Sequence, residues 1–376
     1  MKRIVCFHLL NDYSGSPKVL RTVLEGLLAK GYFIDLISSK GGILDELSHP
    51  NLKRKFTYRY RFSTNPLVTM LRYSAIQIYT FIVAFRYLFA KDTVFYINTI
   101  LPAGPAVAGW LMRKKVIYHY HENAFIKGRF YRLLAWVMQR LADKIICVSA
   151  YQASFLERKK SVEVVPNALP AQFVSQLHPN PTEAFERKTV LMLSSLKEYK
   201  GTREFIKLAN DLPQFNFVLV INDTQDNIDK YLENIILPSP NDSRAKRWKP
   251  MNNLRIFPRQ ENVAAFYNSA TVVVNLTDRH LAVETFGLTA LEAMAAGLPV
   301  IVPTVGGISE MVEDDVNGYK IDVAQLDEVA RAIERILTDR DLYMRLSRSA
   351  AASTKHYDVD SMIDRIAHCI EDSQER

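Results

Sequence analysis

Short strand-like runs alternate with helix-patterned segments along most of this chain, and that alternation restricts its fold more than any other feature. RIVCFHL, YFIDLISS, TVFYINT, KVIYHYHE and KIICVSA fall in the first half, and TVLMLSS, FVLVIN, NLRIF, TVVVNL and VIVP in the second. Between them lie helix patterns such as LRTVLEGLLAKG, closed by Gly31, and PAVAGWLM. The repeat predicts an α/β fold of parallel sheets with helices on both faces. At 376 residues the chain can build two cores. Three prolines and mixed polarity mark residues 170–188 as a linker between domains 1–169 and 189–357, and VDSMIDRIAHCIED forms a final amphipathic helix at about 358–376.

Charge divides the same way. Residues 1–180 hold 25 Lys and Arg against 10 Asp and Glu, whereas 181–376 hold 23 against 30. The basic first half points to an anionic surface or to solubility alone. Cys6, Cys147 and Cys369 are odd in number and widely spaced, which suggests a reducing cytoplasm rather than disulfides or zinc. The start MKRIVCFHLL is interrupted by Asn11-Asp12 before it reaches signal-peptide length, so it reads as the first strand.

Residues 284–310, ETFGLTALEAMAAGLPVIVPTVGGISE, concentrate polar groups in an apolar frame. Gly287 precedes an Ala- and Leu-rich helix, and Gly297-Leu-Pro299 stops it. Glu284 therefore lies before the helix and Glu292 inside it. At about 100° per residue, that spacing keeps the two carboxylates off one helical stripe. They suit opposite ends of an elongated ligand better than one small atom. The amides near Phe286, Gly287 and Leu288 offer an anion a positive helix end. Hydroxyl-gripping carboxylates around a phosphate-friendly helix end suit a sugar nucleotide, although an ordinary surface helix can carry two Glu residues as well.

E-x7-E with FG after the first Glu, EAMAAGLPVI at the second, then GG-x-x-E and NG, closely resembles the nucleotide-sugar site of the family 4 (group 1) retaining glycosyltransferases of GT-B fold. The likeness covers most of residues 188–340, and the N-terminal half only through short loops. It implies two Rossmann-like domains facing across a cleft, with the last helix crossing back to the first domain. It also implies Glu284 at the transferred sugar and Glu292 on the ribose hydroxyls. Lys200, after TVLMLSS, matches the family's diphosphate lysine, but Ser195 stands where the family has an arginine, unless Lys197 or Arg203 substitutes. RIFPRQEN sits where the family's backbone meets the base, with Arg259 nearby. The HE pair His121-Glu122 resembles the family's donor-sugar contact; His119 faces the same side of an ideal strand, and His121 is favoured as nearer the strand end. Ser14, Gly15 and Ser16 correspond to the family's acceptor-side turn with fewer glycines, and no G-x-G-x-x-G is present.

The implied reaction is retaining transfer of a hexosyl unit from a nucleotide diphosphate sugar to a glycan or lipid-linked acceptor, as in cell-surface polysaccharide assembly. Glu284, His121 and Lys200 would be its catalytic residues. No cofactor is expected. Metal independence is expected too, because no Asp-x-Asp suited to a metal-bridged diphosphate appears, and the nearest pair, Asp314-Asp315, is adjacent and reads as an exposed turn. The competing readings are a GT-B sugar-nucleotide epimerase, a glycosidase and a non-catalytic sugar-nucleotide-binding subunit. KRKFTYRYRF at 53–62 interleaves basic and aromatic residues, and PLVTMLRYSAIQIYTFIVAFRYLFA follows it. Arg72 and Arg86 leave thirteen residues between them, short of the roughly 20 a spanning helix needs. Either that helix covers the sheet or it seats the protein peripherally on the anionic inner face of a membrane. A nucleic-acid partner is not expected beside a donor-like second domain. The segment 223–252 reads as a short helix followed by a flexible loop.

Overall fold

The computed structural model describes residues 2–157, 161–239, 242–247 and 249–372. The chain divides into two units, one running to Ala168 and resuming at Tyr357, the other spanning Leu169–His356.

Among the described residues the first unit is built on a seven-stranded sheet of β1 (Arg3–His8), β2 (Phe33–Ser39), β3 (Leu52–Tyr58), β4 (Thr93–Asn98), β5 (Lys115–Tyr120), β6 (Lys144–Cys147) and β7 (Val162–Val164). Its order is β3-β2-β1-β4-β5-β6-β7. All pairings are parallel, with Arg3 opposite both Phe33 and Thr93. β1 and β4 are buried almost throughout, which explains their unbroken apolar runs: helices cover both faces of such strands. The edge strand β3 differs. Lys53, Arg54 and Lys55 are exposed along it, where charge discourages pairing with another chain, while Phe56 and Tyr58 pack inward. The basic residues here are consecutive rather than alternating, so exposure at the sheet edge accounts for their charge. Helix Val359–Glu371 closes the unit against helix Gly15–Ala29, and Lys115 Nζ donates to the Cys369 carbonyl at 2.7 Å.

The second unit carries β8 (Thr189–Ser194), β9 (Asn216–Ile221), β12 (Leu254–Phe257), β13 (Val272–Val274), β14 (Val300–Val302) and β15 (Gly318–Lys320), all parallel in the order β12-β9-β8-β13-β14-β15. Two expectations change here. Residues 223–252 hold not only helix Gln225–Glu233 but an antiparallel pair, β10 (Ile236–Ser239) with β11 (Asp242–Arg247), in place of a loop. Backbone pairing there needs no apolar run, so hydropathy gave no sign of it. The expected linker 170–188 carries helices Ala171–Val174 and Pro181–Arg187 and clusters with the second unit. Asn180 caps the latter by accepting from Glu183 N at 3.3 Å, and Pro181 is preset for its first turn.

Candidate functional site

In the second unit the chain moves outward from β8 to β9 and β12, then returns to β13 and continues to β14 and β15 on the other side. The loops leaving β8 and β13 therefore diverge, and open α/β sheets hold ligands at such a switch point beyond the strand ends. The turn after β8 contains a 3-10 segment, Glu198–Lys200, followed by Gly201 at φ +71°. A Cβ on Gly201 would lie 2.3 Å from the Leu276 carbonyl oxygen, so only glycine lets this turn press against the loop after β13.

That approach joins Lys200 to Glu284. The ammonium donates to Oε1 of the carboxylate, and Thr277 Oγ1 donates to the same oxygen at 3.1 Å. The Glu284 carbonyl accepts from Gly307 N at 2.9 Å, which ties the residue to the loop after β14. Burial pushes the Glu284 carboxyl up, but the Lys200 charge and the bonds from Lys200, Thr277 and Asn275 outweigh it and hold the group below the usual carboxylate range. Burial likewise pushes Lys200 down, yet Glu284 keeps its ammonium above the ordinary value. The side chains retain 26% and 22% of their surface, so the charged pair is formed in advance and still reachable by a ligand.

Two residues after Thr285, Gly287 at φ +96° turns the chain into helix Leu288–Ala295. A Cβ there would meet Ile308 Cγ1 at 2.4 Å. Its N-cap, Gly287, has no side chain with which to cap the positive end of the helix. Phe286 is buried beneath the turn and Leu288 half-buried at its start. Glu292 has its own partner: Tyr267 OH donates to Oε2 at 2.5 Å. Burial and that carboxylate push the Tyr267 hydroxyl well up, so it stays a donor. The two acids are thus held by different groups, Glu284 by Lys200 and Glu292 by Tyr267.

Among the remaining residues of this unit, Arg259 and Ser195 follow the C-terminal ends of strands, whereas Asp314 and Asp315 precede β15. Arg259 follows β12, and its Nε donates to Asn222 Oδ1, just past β9, at 2.8 Å. Ser195 follows β8 and offers no cation; its carbonyl accepts from Thr202 Oγ1 at 3.2 Å. Lys197 and Lys200 both approach the Tyr199 ring, at 5.8 and 5.5 Å from its centroid, whereas Arg203 is exposed on helix Thr202–Asp211. Asp314 and Asp315 are otherwise engaged, the first accepting from Lys320 N at 2.7 Å and the second from Tyr319 OH at 2.7 Å.

In the first unit the switch lies between β1 and β4, and a buried polar chain runs along the strand ends. Asn98 Nδ2 is 3.0 Å from His8 Nδ1, and Asn98 Oδ1 is 3.0 Å from His121 Nε2. His119 is fully buried, with Nδ1 2.7 Å from Tyr96 OH, while His121, one residue past β5, keeps some surface. Its ring lies 4.2 Å from that of His119. Burial, then the neighbouring His119 and His8, push the His121 imidazole well down, so it is neutral near pH 7. Ser14 turns its hydroxyl back to Asp12 Oδ1 at 2.5 Å instead of capping helix Gly15–Ala29, and Ser16 is half-buried in the first turn. Asn98, Asn222, Asn275, Thr277 and Tyr267 did not emerge from the sequence. A signal was present for three of them: each asparagine ends or directly follows an apolar strand.

The buried histidines give a pH signature. Burial brings His8 down to about 4 and His119 to about 3, below the roughly 6.5 of an unfolded chain. Between those values the unfolded state binds more protons, so stability falls as pH drops from about 6.5 toward 4, by about 2–3 kcal/mol per histidine. Urea unfolding of the first unit, followed from pH 7.5 to 4.5, should show this loss; a flat midpoint would contradict it.

Comparison with known proteins adds a family context. Residues 175–353 match the model of the glycosyl transferases group 1, and residues 13–173 that of glycosyltransferase family 4. An uncharacterized glycosyltransferase of Haemophilus influenzae is 22% identical over 97% of this chain and 98% of its own length. A D-inositol 3-phosphate glycosyltransferase of Streptomyces griseus is 33% identical, but over only 27% of this chain and 21% of that protein. Among solved structures, Anabaena HepE in complex with UDP-glucose superposes with a TM-score of 0.74 at 17% identity, over 98% of this chain and 99% of that one. Sucrose-phosphate synthase of Thermosynechococcus elongatus gives 0.74 at 18% identity, over 98% of both chains.

Proposed function

The chain belongs to the family 4, group 1 glycosyltransferases of GT-B fold, and on that footing we propose that it transfers a hexosyl unit, with retention, from a nucleotide diphosphate sugar to a glycan or lipid-linked acceptor. The preformed Lys200–Glu284 pair at the switch point of the second sheet carries this reading. HepE, solved with UDP-glucose, supports a UDP-hexose as the first donor to try. Glu292 would take the ribose hydroxyls, Arg259 would lie by the base, and Glu284 would orient the sugar.

The chemistry follows from where charge develops. As the bond from anomeric carbon to phosphate oxygen breaks, negative charge grows on the departing diphosphate and positive charge on the sugar ring. Donors fixed in advance stabilise that charge without reorganising. Lys200 and the uncapped helix start at Gly287–Leu288 serve the diphosphate, and Lys197, over the same tyrosine ring, supplies the second cation that Ser195 does not. The Glu284 carboxylate faces the positive ring. The acceptor hydroxyl attacks from the leaving-group face, forms the new bond to the anomeric carbon, and gives its proton to the departing phosphate oxygen. In the first unit, His121 is neutral and hydrogen-bonded to Asn98.

With cationic side chains and a helix dipole at the diphosphate, catalysis needs no divalent metal and no other cofactor. Release of nucleoside diphosphate from the preferred sugar nucleotide should therefore proceed equally with and without EDTA. Loss of activity in EDTA with rescue by magnesium or manganese would overturn metal independence, and absence of donor cleavage under all conditions would overturn transfer in favour of a binding subunit.

A further inference from the structure

Helix Pro66–Ala84, extended by the turn Phe85–Tyr87, has the length and composition of a membrane span, yet only 22% of its apolar window is buried. One side is built into the first unit. Tyr73 OH donates to the Leu101 carbonyl at 2.7 Å, Gln77 Oε1 accepts from Gly104 N at 2.8 Å, and Thr80, Val83, Ala84 and Tyr87 are buried. A helix held along its length in this way lies flat on its domain and cannot cross a bilayer.

The other side is also apolar. Leu67, Leu71, Ile78 and Ile82 recur at helical spacing and are 74%, 71%, 61% and 63% exposed, and Phe89 beyond the turn is 92% exposed. From Leu67 to Ile82 the stripe is roughly 22 Å long. A solvated outer face would carry charge here; this one carries only Arg72 and Arg86, both exposed. Around it the sequence from 47 to 91 holds eight Lys and Arg and no Asp or Glu.

We propose that this outer face lies in the plane of an anionic lipid surface, its stripe among the acyl chains and its basic residues at the headgroups. Long basic side chains flanking an apolar stripe place their charge at the polar boundary while their stems stay in contact with hydrocarbon. Each basic residue near such a surface strengthens binding roughly fivefold, the equivalent of about 1 kcal/mol. A second copy of the chain fits poorly, because pairing two such faces would oppose two acid-free basic segments. Nucleic acid would use the charge but not the stripe. Seating of this kind suits a lipid-linked acceptor, but it stands apart from the donor chemistry, and its failure would leave the Lys200–Glu284 site untouched.

The test is flotation of the full chain with neutral phosphatidylcholine vesicles and with vesicles containing phosphatidylglycerol, at low and high salt. The wild type should float with the anionic vesicles at low salt and at least tenfold less in the other conditions. Leu67→Ser, Leu71→Ser, Ile78→Ser and Ile82→Ser together should reduce flotation at least tenfold without lowering Tm, since all four side chains are exposed. Because Cys6, Cys147 and Cys369 are buried, an environment-sensitive dye on Ile82→Cys reports one position. Its emission should shift to the blue with anionic vesicles, while the same dye on Asn210→Cys, exposed in the second unit, should not move. Equal flotation on both vesicle types or on neither, a serine variant that floats like the wild type, a silent label at 82, or a stripe occupied by self-association would each overturn the proposal. So would retention on DNA that survives the serine changes without any flotation.

Discussion

Glu284→Gln should slow donor cleavage by at least about a hundredfold while leaving nucleoside diphosphate binding unchanged or tighter. In the resting structure the Glu284 carboxylate neutralises the Lys200 ammonium. The amide keeps the shape of the side chain and can still accept from Thr277, but it no longer competes with phosphate for the cation. It also no longer places a negative charge beside the developing positive ring. Charge-assisted hydrogen bonds of this type are worth about 1.5–3 kcal/mol, or roughly tenfold to more than a hundredfold. Loss of preorganised charge in a transition state reaches about 3–4 kcal/mol. Calorimetry with nucleoside diphosphate and with the intact donor separates the two effects. Weaker diphosphate binding in this variant would mean that Glu284 organises the pocket rather than the sugar.

Lys200→Ala should act in the opposite order, weakening diphosphate binding roughly tenfold to a hundredfold and slowing cleavage by more. It also changes the titration of its partner. With the ammonium gone, only the bonds from Thr277 and Asn275 oppose burial, and the Glu284 carboxyl moves upward from its depressed position. In the wild type, the stabilisation from the paired carboxylate is present above the unfolded carboxyl pKa and lost as pH falls through the lower folded one. In the variant the raised carboxyl favours the protonated folded state at low pH. The difference in stability between the two proteins should therefore be largest near neutrality, at about 1–2 kcal/mol for this partly exposed pair, and shrink as pH falls below about 4.5. Thermal unfolding across pH 7.5 to 3.5 measures it; a constant offset would show that the two groups are not coupled.

Most strands of both parallel sheets were legible in the sequence as apolar runs bounded by turn residues, but β3 was not, because LKRKFTY carries three consecutive basic residues. The helix after Gly287 was legible too, with its glycine start and Gly-Leu-Pro stop. The β10–β11 pair was not, since DSRAKR has no apolar face to announce a strand. The helix Pro181–Arg187 could have been found from Asn180-Pro181, an N-cap followed by proline, had the prolines not suggested a linker. Contact between Lys200 and Glu284 lies beyond any local pattern: 84 residues separate them, and the approach depends on Gly201 meeting Leu276. The helix Pro66–Ala84 was ambiguous for a different reason. Both of its faces are apolar, so periodicity cannot tell the buried side from the exposed one.

The central claim is that Lys200 and Glu284 form one device acting on the departing diphosphate sugar. A double-mutant cycle of Glu284→Gln and Lys200→Ala, read as the rate of nucleoside diphosphate release from the donor under saturating conditions, tests it most directly. Groups that act as a unit lose most of their effect with the first substitution. The account predicts a double variant within about threefold of the slower single variant, a coupling of about 2 kcal/mol or more. Rate losses that simply multiply would contradict it, because they would show the two side chains acting independently.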